Sequence, residues 1–152
     1  MKKILALAFV IAVAMSACNQ VKADVADNPD AKATQAIVEQ WMAANKAYDA
    51  DAIMSLYSDD ITWMDYGYND GPYHAGLSGA VHEWFASQGL KVRVDSYIIT
   101  RDGHFAVIQG TYSEKDGITG KWASTPAVAI LEFKDGKILK ESWYYNTDIF
   151  YK

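Results

Sequence analysis

Asp65 is the residue whose type and position point most directly to chemistry. It ends the segment 58–65, in which alternation puts Ile61, Trp63 and Asp65 on one face of a predicted strand. An ionised carboxylate on an apolar face is costly unless it is paired, hydrogen-bonded or kept protonated. We therefore expect a functional pocket around Asp65, with the carboxylate acting as a general base or as the polar anchor of a ligand.

Glu141 is a second carboxylate expected to face the same cavity. In the last predicted strand, the more apolar face consists of Leu139, Glu141, Trp143 and Tyr145. Two carboxylates in one aromatic-walled pocket push their pKa values apart and could serve as acid and base. In the alternative interpretation, which is favoured, Glu141 lies near the rim, pairs with a basic residue such as Arg93 and does nothing chemical.

One histidine is a further candidate. His74 lies in a polar loop before a predicted helix, where ligand contact or proton transfer stays open beside a solvent-facing position. No two histidines have the spacing of metal ligands, and Cys18 is the only cysteine. The sequence therefore predicts no metal site and no cofactor.

Aromatic side chains are the strongest compositional signal, with 5 Trp, 10 Tyr and 5 Phe. Most must fill the core. Several polar or aromatic residues are nevertheless expected to line the cavity and contact a ligand: Trp41, Trp63, Trp84, Gln109, Trp143 and Tyr145. A mainly apolar pocket with a few polar groups is typical of a small-molecule site. The alternative is a closed core in which the indoles leave no room.

Helices are expected to come first along the chain. Asn28-Pro29 predicts the start of a helix of about five turns. Asp49 then caps a shorter helix before the strand that ends at Asp65. The apolar positions of 77–85 mark a third helix, which Gly89 stops.

Strands are expected to follow the helices. From Lys91 the apolar period is two, and Asp102-Gly103 and Asp135-Gly136 have the composition of hairpin turns, which gives a four-strand antiparallel meander. This order predicts a cone-shaped α+β fold, a single domain over 29–152. Three N-terminal helices and a curved mixed or antiparallel sheet would enclose a pocket.

A family resemblance rests on four parts of the chain: the segment 51–60, Asp65, Gly76, and the run 133–138 continuing into Trp143-Tyr144-Tyr145-Asn146. Through them, residues 32 to 150 resemble the nuclear transport factor 2-like superfamily, in particular its SnoaL-like and ketosteroid-isomerase-like branches. The resemblance implies the cone fold and a homodimer. It leaves the activity open, because this fold hosts enzymes, ligand carriers and interaction domains.

By the resemblance to steroid isomerases, Asp65 corresponds to their catalytic base. The partners of that base are absent from this chain. The tyrosine and the protonated aspartate that hold the oxyanion correspond to Trp41 and Ala129, which lack a comparable acidic donor. Cyclases of the SnoaL-like branch often carry an aspartate where this chain has Asn146. Isomerisation, cyclisation or hydrolysis would therefore depend on Asp65 with Glu141 or His74.

The N-terminus predicts a secreted, lipid-anchored protein. A basic start and the apolar run 4–15 indicate a signal peptide. The run ends in Met15-Ser16-Ala17-Cys18, which resembles the lipobox of bacterial lipoproteins. We expect a signal peptide over 1–17, lipidation of Cys18 and a flexible tether over 18–28. The resemblance to lipoproteins implies that Asn19, in place of an aspartate after the cysteine, favours an outer-membrane protein facing the periplasm; the alternative is a soluble periplasmic or secreted protein.

Charge narrows the choice of partners. The signal peptide holds two of the 14 Lys and Arg residues, so 12 remain against 19 Asp and Glu, and the formal net charge falls from −5 to −7. This balance argues against nucleic acid, and membrane contact is expected only through the lipid anchor.

Three functions remain after these exclusions. The preferred one is a lipid-anchored domain that binds a small apolar or aromatic molecule, oriented by Asp65 and Gln109. The second is an enzyme, which requires the Asp65 carboxylate to lie within about 6 Å of another titratable group. The third is an interaction domain that pairs through the convex sheet face with Tyr112 and Tyr144, which a filled cavity would favour.

Overall fold

The computed structural model describes residues 28–67, 70–73 and 76–148. The predicted signal peptide, Cys18, the tether up to residue 27 and His74 lie outside the described residues. Within them, the elements follow the order α1 Pro29–Ala47, α2 Ala50–Leu56, β1 Tyr57–Asp65, β2 Asp70–Tyr73, α3 Leu77–Ser87, β3 Leu90–Ile99, β4 Phe105–Lys115, β5 Trp122–Lys134 and β6 Lys137–Tyr145. None of these helices has both the length and the apolar character needed to cross a membrane.

The first two helices begin at the predicted caps. The Asn28 side chain accepts a hydrogen bond of 2.9 Å from the Asp30 N–H, and the Asp49 side chain accepts one of 2.9 Å from the Ala52 N–H. The third helix ends slightly earlier than predicted. Gln88, with φ of 48°, has the left-handed conformation that ends it, and Gly89 only follows.

Six strands form one mixed sheet in the order β2-β1-β6-β5-β4-β3. Strands β3 to β6 are the predicted antiparallel meander, and β1 pairs in parallel with β6. Strand β2 is an addition, because the segment 70–73 was expected to be loop. Asp135 and Gly136, with φ of 52° and 73°, form the predicted tight turn between β5 and β6. The predicted α+β fold class is confirmed.

The inner face of the sheet, defined by Trp63, Asp65, Glu141 and Trp143, lies against the helices. Trp41 of α1 is 0% exposed and contacts this face through a hydrogen bond to Glu141. Strands β4 and β5 also bury small side chains in the same core: Ala106, Ala127 and Ala129. The core of the sheet thus combines a wide indole from the helix with small residues from the strands.

Strand β4 turns the opposite face inward from the one predicted. Ala106 and Ile108 are buried, whereas Val107 and Gln109 are exposed on the outer face. Both alternating sets of β4 contain apolar residues, so periodicity alone selected the wrong one. Cross-strand pairing decides the face, because Ile108 lies opposite the buried Ala129.

Strand β6 changes its alternation at an irregularity in the pairing with β5, between Glu132 and Phe133. Ile138 is fully buried, whereas Leu139, which was predicted to face inward, is only half-buried. Beyond the irregularity, Glu141 and Trp143 are buried on the inner face, as predicted. A register shift of this kind reverses the face of every residue on one side of it.

Candidate functional site

Two carboxylates and two indoles alternate on neighbouring strands of the inner face. In the parallel pair β1 and β6, Trp63 lies beside Glu141, and Asp65 lies beside Trp143. All four residues are buried. Each carboxylate therefore has an indole as its register partner, an arrangement that requires both strands to point these residues the same way.

Glu141 is 3% exposed and is held by donors from three elements. The Trp41 Nε1–H and the Tyr57 hydroxyl donate to Oε2 at 3.0 and 2.7 Å, and the Trp143 Nε1–H donates to Oε1 at 2.7 Å. Indole N–H groups only donate, so both oxygens must accept. Burial raises the pKa of Glu141, while hydrogen bonds from these three residues and from Trp63 act against the rise.

The interpretation that Glu141 lies at the rim and pairs with Arg93 is wrong. The Arg93 side chain is exposed and donates to Asp95 at 2.9 Å and to the Thr111 hydroxyl at 3.0 Å. Burial and the nearby Glu141 charge raise the pKa of Tyr57 well above its usual value, so its hydroxyl stays protonated and remains a donor. Glu141 is thus a structural part of the interior whose carboxylate also lines the cavity.

Asp65 has its own set of donors. Its Oδ1 accepts from the Gly67 N–H at 2.8 Å, and its Oδ2 accepts from the Tyr145 hydroxyl at 2.5 Å. The Tyr145 ring stacks on Tyr112 with centroids 4.4 Å apart. Burial is the main cause that raises the pKa of both tyrosines, so both hydroxyls stay protonated. Asp65 therefore meets the condition set for catalysis, a titratable group within about 6 Å.

A cavity of about 800 Å³ opens beside these groups. Its volume lies within the range of roughly 300–1,000 Å³ that is usual for ligand pockets. The rings of Trp63 and Trp84 lie 4.9 Å apart in its wall. Its aromatic lining comprises Tyr57, Trp63, Trp84, Phe85, Tyr112 and Trp143. The end of β4 and the connection that follows it, residues 115–120, contribute exposed residues to the lining, including Ile118 at 96% exposure.

The residues predicted to contact a ligand divide into two groups. Trp63, Trp84 and Trp143 line the cavity, and their role as contacts stays a prediction. Trp41 and Tyr145 are not part of the lining, and each donates a hydrogen bond to a carboxylate: Trp41 to Glu141, and Tyr145 to Asp65. Gln109 is wrong as a cavity residue, because β4 turns it to the outer face.

Two aromatic residues of the site were missed from the sequence. Extending the alternation of Ile61, Trp63 and Asp65 backwards by four residues would have put Tyr57 on the same face. Tyr112 was assigned to the convex face together with Tyr144, but it lines the cavity, and only Tyr144 is exposed outside. The error follows from the reversed face of β4. No group of three or more potential metal ligands lies together in the part of the chain that the structure describes.

A family model for the SnoaL-like domain matches residues 38–141. The chain belongs to the SnoaL-like domain family. No curated protein matches the sequence. In this SnoaL-like domain the Trp41 N–H is bonded to Glu141 and Ala129 is 1% exposed, so neither residue offers the cavity an oxyanion donor.

Solved structures with the same fold are distant in sequence. A ketosteroid isomerase-like protein from Catenulispora acidiphila, in complex with trimethylamine, has a TM-score of 0.63 at 19% identity, covering 74% of this chain and 87% of its own. A proposed polyketide cyclase from Pseudomonas putida has 0.62 at 22%, covering 75% and 92%. TerC, co-crystallized with polyporic acid, has 0.65 at 18%, covering 78% and 95%. These similarities establish the fold of the SnoaL-like domain.

Proposed function

We propose that this SnoaL-like domain binds a small, largely apolar or aromatic molecule in its cavity. The observation that carries the proposal is an opening of about 800 Å³ walled by six aromatic side chains, with the carboxylates of Asp65 and Glu141 in its lining. A small number of precisely held polar groups in an apolar wall fixes the orientation of a small ligand. The cavity is not filled by its own indoles, which removes the condition that would favour a pure interaction domain.

Two of the similar structures support the idea that proteins of this fold bind small molecules, since one is a complex with trimethylamine and another was co-crystallized with polyporic acid. Those ligands belong to those proteins. The two molecules differ, so the ligand class of this chain has to follow from its own lining.

The test is a titration of the purified protein with the uncharged fluorescent probe N-phenylnaphthylamine. Val92 lines the cavity, so Val92→Trp should take up part of it and weaken saturable one-to-one binding. Val107→Trp adds the same side chain to the outer face, where Val107 is 39% exposed, and should leave binding unchanged. Equal binding by both variants, or no saturable binding by the wild type, would contradict the proposal.

Catalysis is the second candidate, favoured by the hydrogen bond from Tyr145 to Asp65 at the cavity wall. Asp65 would act as a general base on a bound carbon acid. Wild type and Asp65→Asn should then differ in the rate at which a β,γ-unsaturated cyclic ketone is converted to its conjugated isomer. Asparagine cannot take up the proton, so equal rates would rule out this role.

The lipid anchor is a proposal of its own and depends on Cys18. Mass spectrometry of the purified chain should find a diacylglyceryl group on Cys18 and no residues before it. Cys18→Ser should move the protein from the membrane fraction to the soluble fraction. An unmodified Cys18, or membrane association that survives the substitution, would contradict an anchor at this residue.

A further inference from the structure

The charges around the cavity are unbalanced. Among the described residues of its lining, four are acidic, namely Asp65, Glu114, Asp116 and Glu141, and one is basic, Lys115. Asp65 and Glu141 are 7% and 3% exposed, whereas Lys115 lies in the exposed part of the lining. Acidic groups therefore outnumber basic ones in the buried part of the cavity, and charges there are screened little by salt.

Glu141 has no cationic partner among the described residues. Two ion pairs there, His82 with Asp51 and Arg93 with Asp95, are exposed and do not involve Glu141. Its four donors are the neutral groups of Trp41, Tyr57, Trp63 and Trp143. Neutral donors supply no compensating charge, so a cation placed in the cavity would favour the ionised carboxylate and be strongly attracted to it in a medium of low dielectric.

The faces of the indole rings in the cavity wall also attract cations. Trp63, Trp84 and Trp143 line the cavity, and tryptophan has the aromatic face that attracts cations most strongly. Trp143 donates its N–H to Glu141 at 2.7 Å, and Trp63 also donates to this carboxylate. Hydrogen bonds to an anion polarise the donor, which increases the electron density of the ring. Glu141 thus favours a cation in the cavity directly, by its own charge, and indirectly, by polarising two of the indoles in the wall.

We propose that the ligand of this cavity is an organic cation, whose ammonium group lies against Trp63, Trp84 and Trp143 beside Glu141 while its apolar part fills the remaining aromatic space. This rests on the proposed binding function and adds the sign of the ligand charge to it. An anion would meet two buried carboxylates. An uncharged molecule without a hydrogen-bond donor would gain little from either carboxylate or from the polarised indoles.

The test uses three probes of similar shape and different charge. Benzyltrimethylammonium, its uncharged carbon isostere neopentylbenzene, and the anion phenylacetate are each titrated against the protein with bound N-phenylnaphthylamine. The cation should displace the probe at a concentration at least about tenfold lower than the isostere, a difference of ~1.4 kcal/mol. Phenylacetate should be the weakest of the three.

A matched pair of variants tests whether the preference for a cation depends on charge inside the cavity. In Asp65→Asn, the amide oxygen can still accept from the Gly67 N–H while the charge is lost. This variant should lower the affinity for benzyltrimethylammonium by about fivefold and leave that for neopentylbenzene unchanged. Asp135→Asn removes a charge from the exposed turn after β5, where the left-handed conformation suits asparagine, and should change neither affinity.

The outcomes separate the two proposals. If N-phenylnaphthylamine binds but the isostere or phenylacetate displaces it as well as the cation does, the cationic ligand is wrong and the binding function stands. If N-phenylnaphthylamine does not bind, the binding function is contradicted in the form stated above, and direct titration of each probe by quenching of the cavity tryptophans tests the charge preference by itself. Failure of all three probes to bind there contradicts both proposals.

Discussion

The Tyr57 hydroxyl donates a hydrogen bond of 2.7 Å to Oε2 of Glu141, which ties the first residue of β1 to the middle of β6. The two residues are 84 positions apart in the sequence. Trp41 brings α1 to the same oxygen. One buried carboxylate therefore connects the long helix and two strands, and at the same time lines the cavity.

Tyr57→Phe tests the strength of that connection. The substitution removes one donor from a buried carboxylate, and hydrogen bonds to charged groups contribute about 1.5–3 kcal/mol. We expect a loss of this size in the free energy of unfolding, measured with urea. Tyr144→Phe is the control, because Tyr144 is 42% exposed on the outer face, and it should change stability by less than about 0.5 kcal/mol. Equal effects would contradict the role of Tyr57.

Glu141→Gln tests whether both oxygens are needed as acceptors. Trp41 donates to one oxygen and Trp143 to the other, so the glutamine NH₂ must face an indole N–H in either orientation. One buried donor is then unpaired, at a cost of about 1–3 kcal/mol. Glu83→Gln, on the exposed side of α3, should be neutral within about 0.5 kcal/mol. A fully stable Glu141→Gln variant would show that one oxygen is dispensable.

The pH dependence of stability follows from the same residue. Burial raises the pKa of Glu141 above its usual 4.5, so the folded state holds the proton more tightly than the unfolded state. Its contribution to stability is then greatest below the unfolded pKa and falls as the pH rises through the folded pKa. The free energy of unfolding of wild type minus that of Glu141→Gln should therefore decrease from about pH 4 to pH 8. An increase would mean that the donors outweigh burial.

Gly110→Ala tests the close approach of β3 and β4. A Cβ at Gly110 would overlap the carbonyl oxygen of Arg93, next to the irregular pairing between Val94 and Ser96. Since backbone cannot move aside as a side chain does, we expect a loss of about 1–3 kcal/mol in urea unfolding. Gly117→Ala is the matched control, since a Cβ there has no neighbour within 4 Å. A neutral Gly110→Ala would contradict the register of these strands.

The local features of the fold could be predicted from the sequence because each depends on neighbouring residues. Asn28 and Asp49 cap helices through their own side chains, and Asp135-Gly136 forms its turn by itself. The inward face of β4 could not be predicted, since it depends on the pairing of Ile108 with Ala129. Both alternating sets of that strand are apolar enough to be buried.

Part of the site could also be predicted, because the alternation within a strand depends on neighbouring residues. Alternation within single strands identified Trp63, Asp65 and Glu141 as inward-facing. The partners of the carboxylates are set by contacts between distant elements, so Tyr57 on Glu141 and Tyr145 on Asp65 had no local signal. Arg93 was chosen as a partner by charge alone, whereas the structure supplies neutral donors.

A crystal structure of the protein with bound N-phenylnaphthylamine tests the central claim most directly, because it shows where the molecule lies. We predict density for the probe within the cavity, in contact with Trp63, Trp84 and Trp143. Density confined to the outer face around Val107 and Tyr144, with the cavity free of the probe at saturating concentration, would contradict the account.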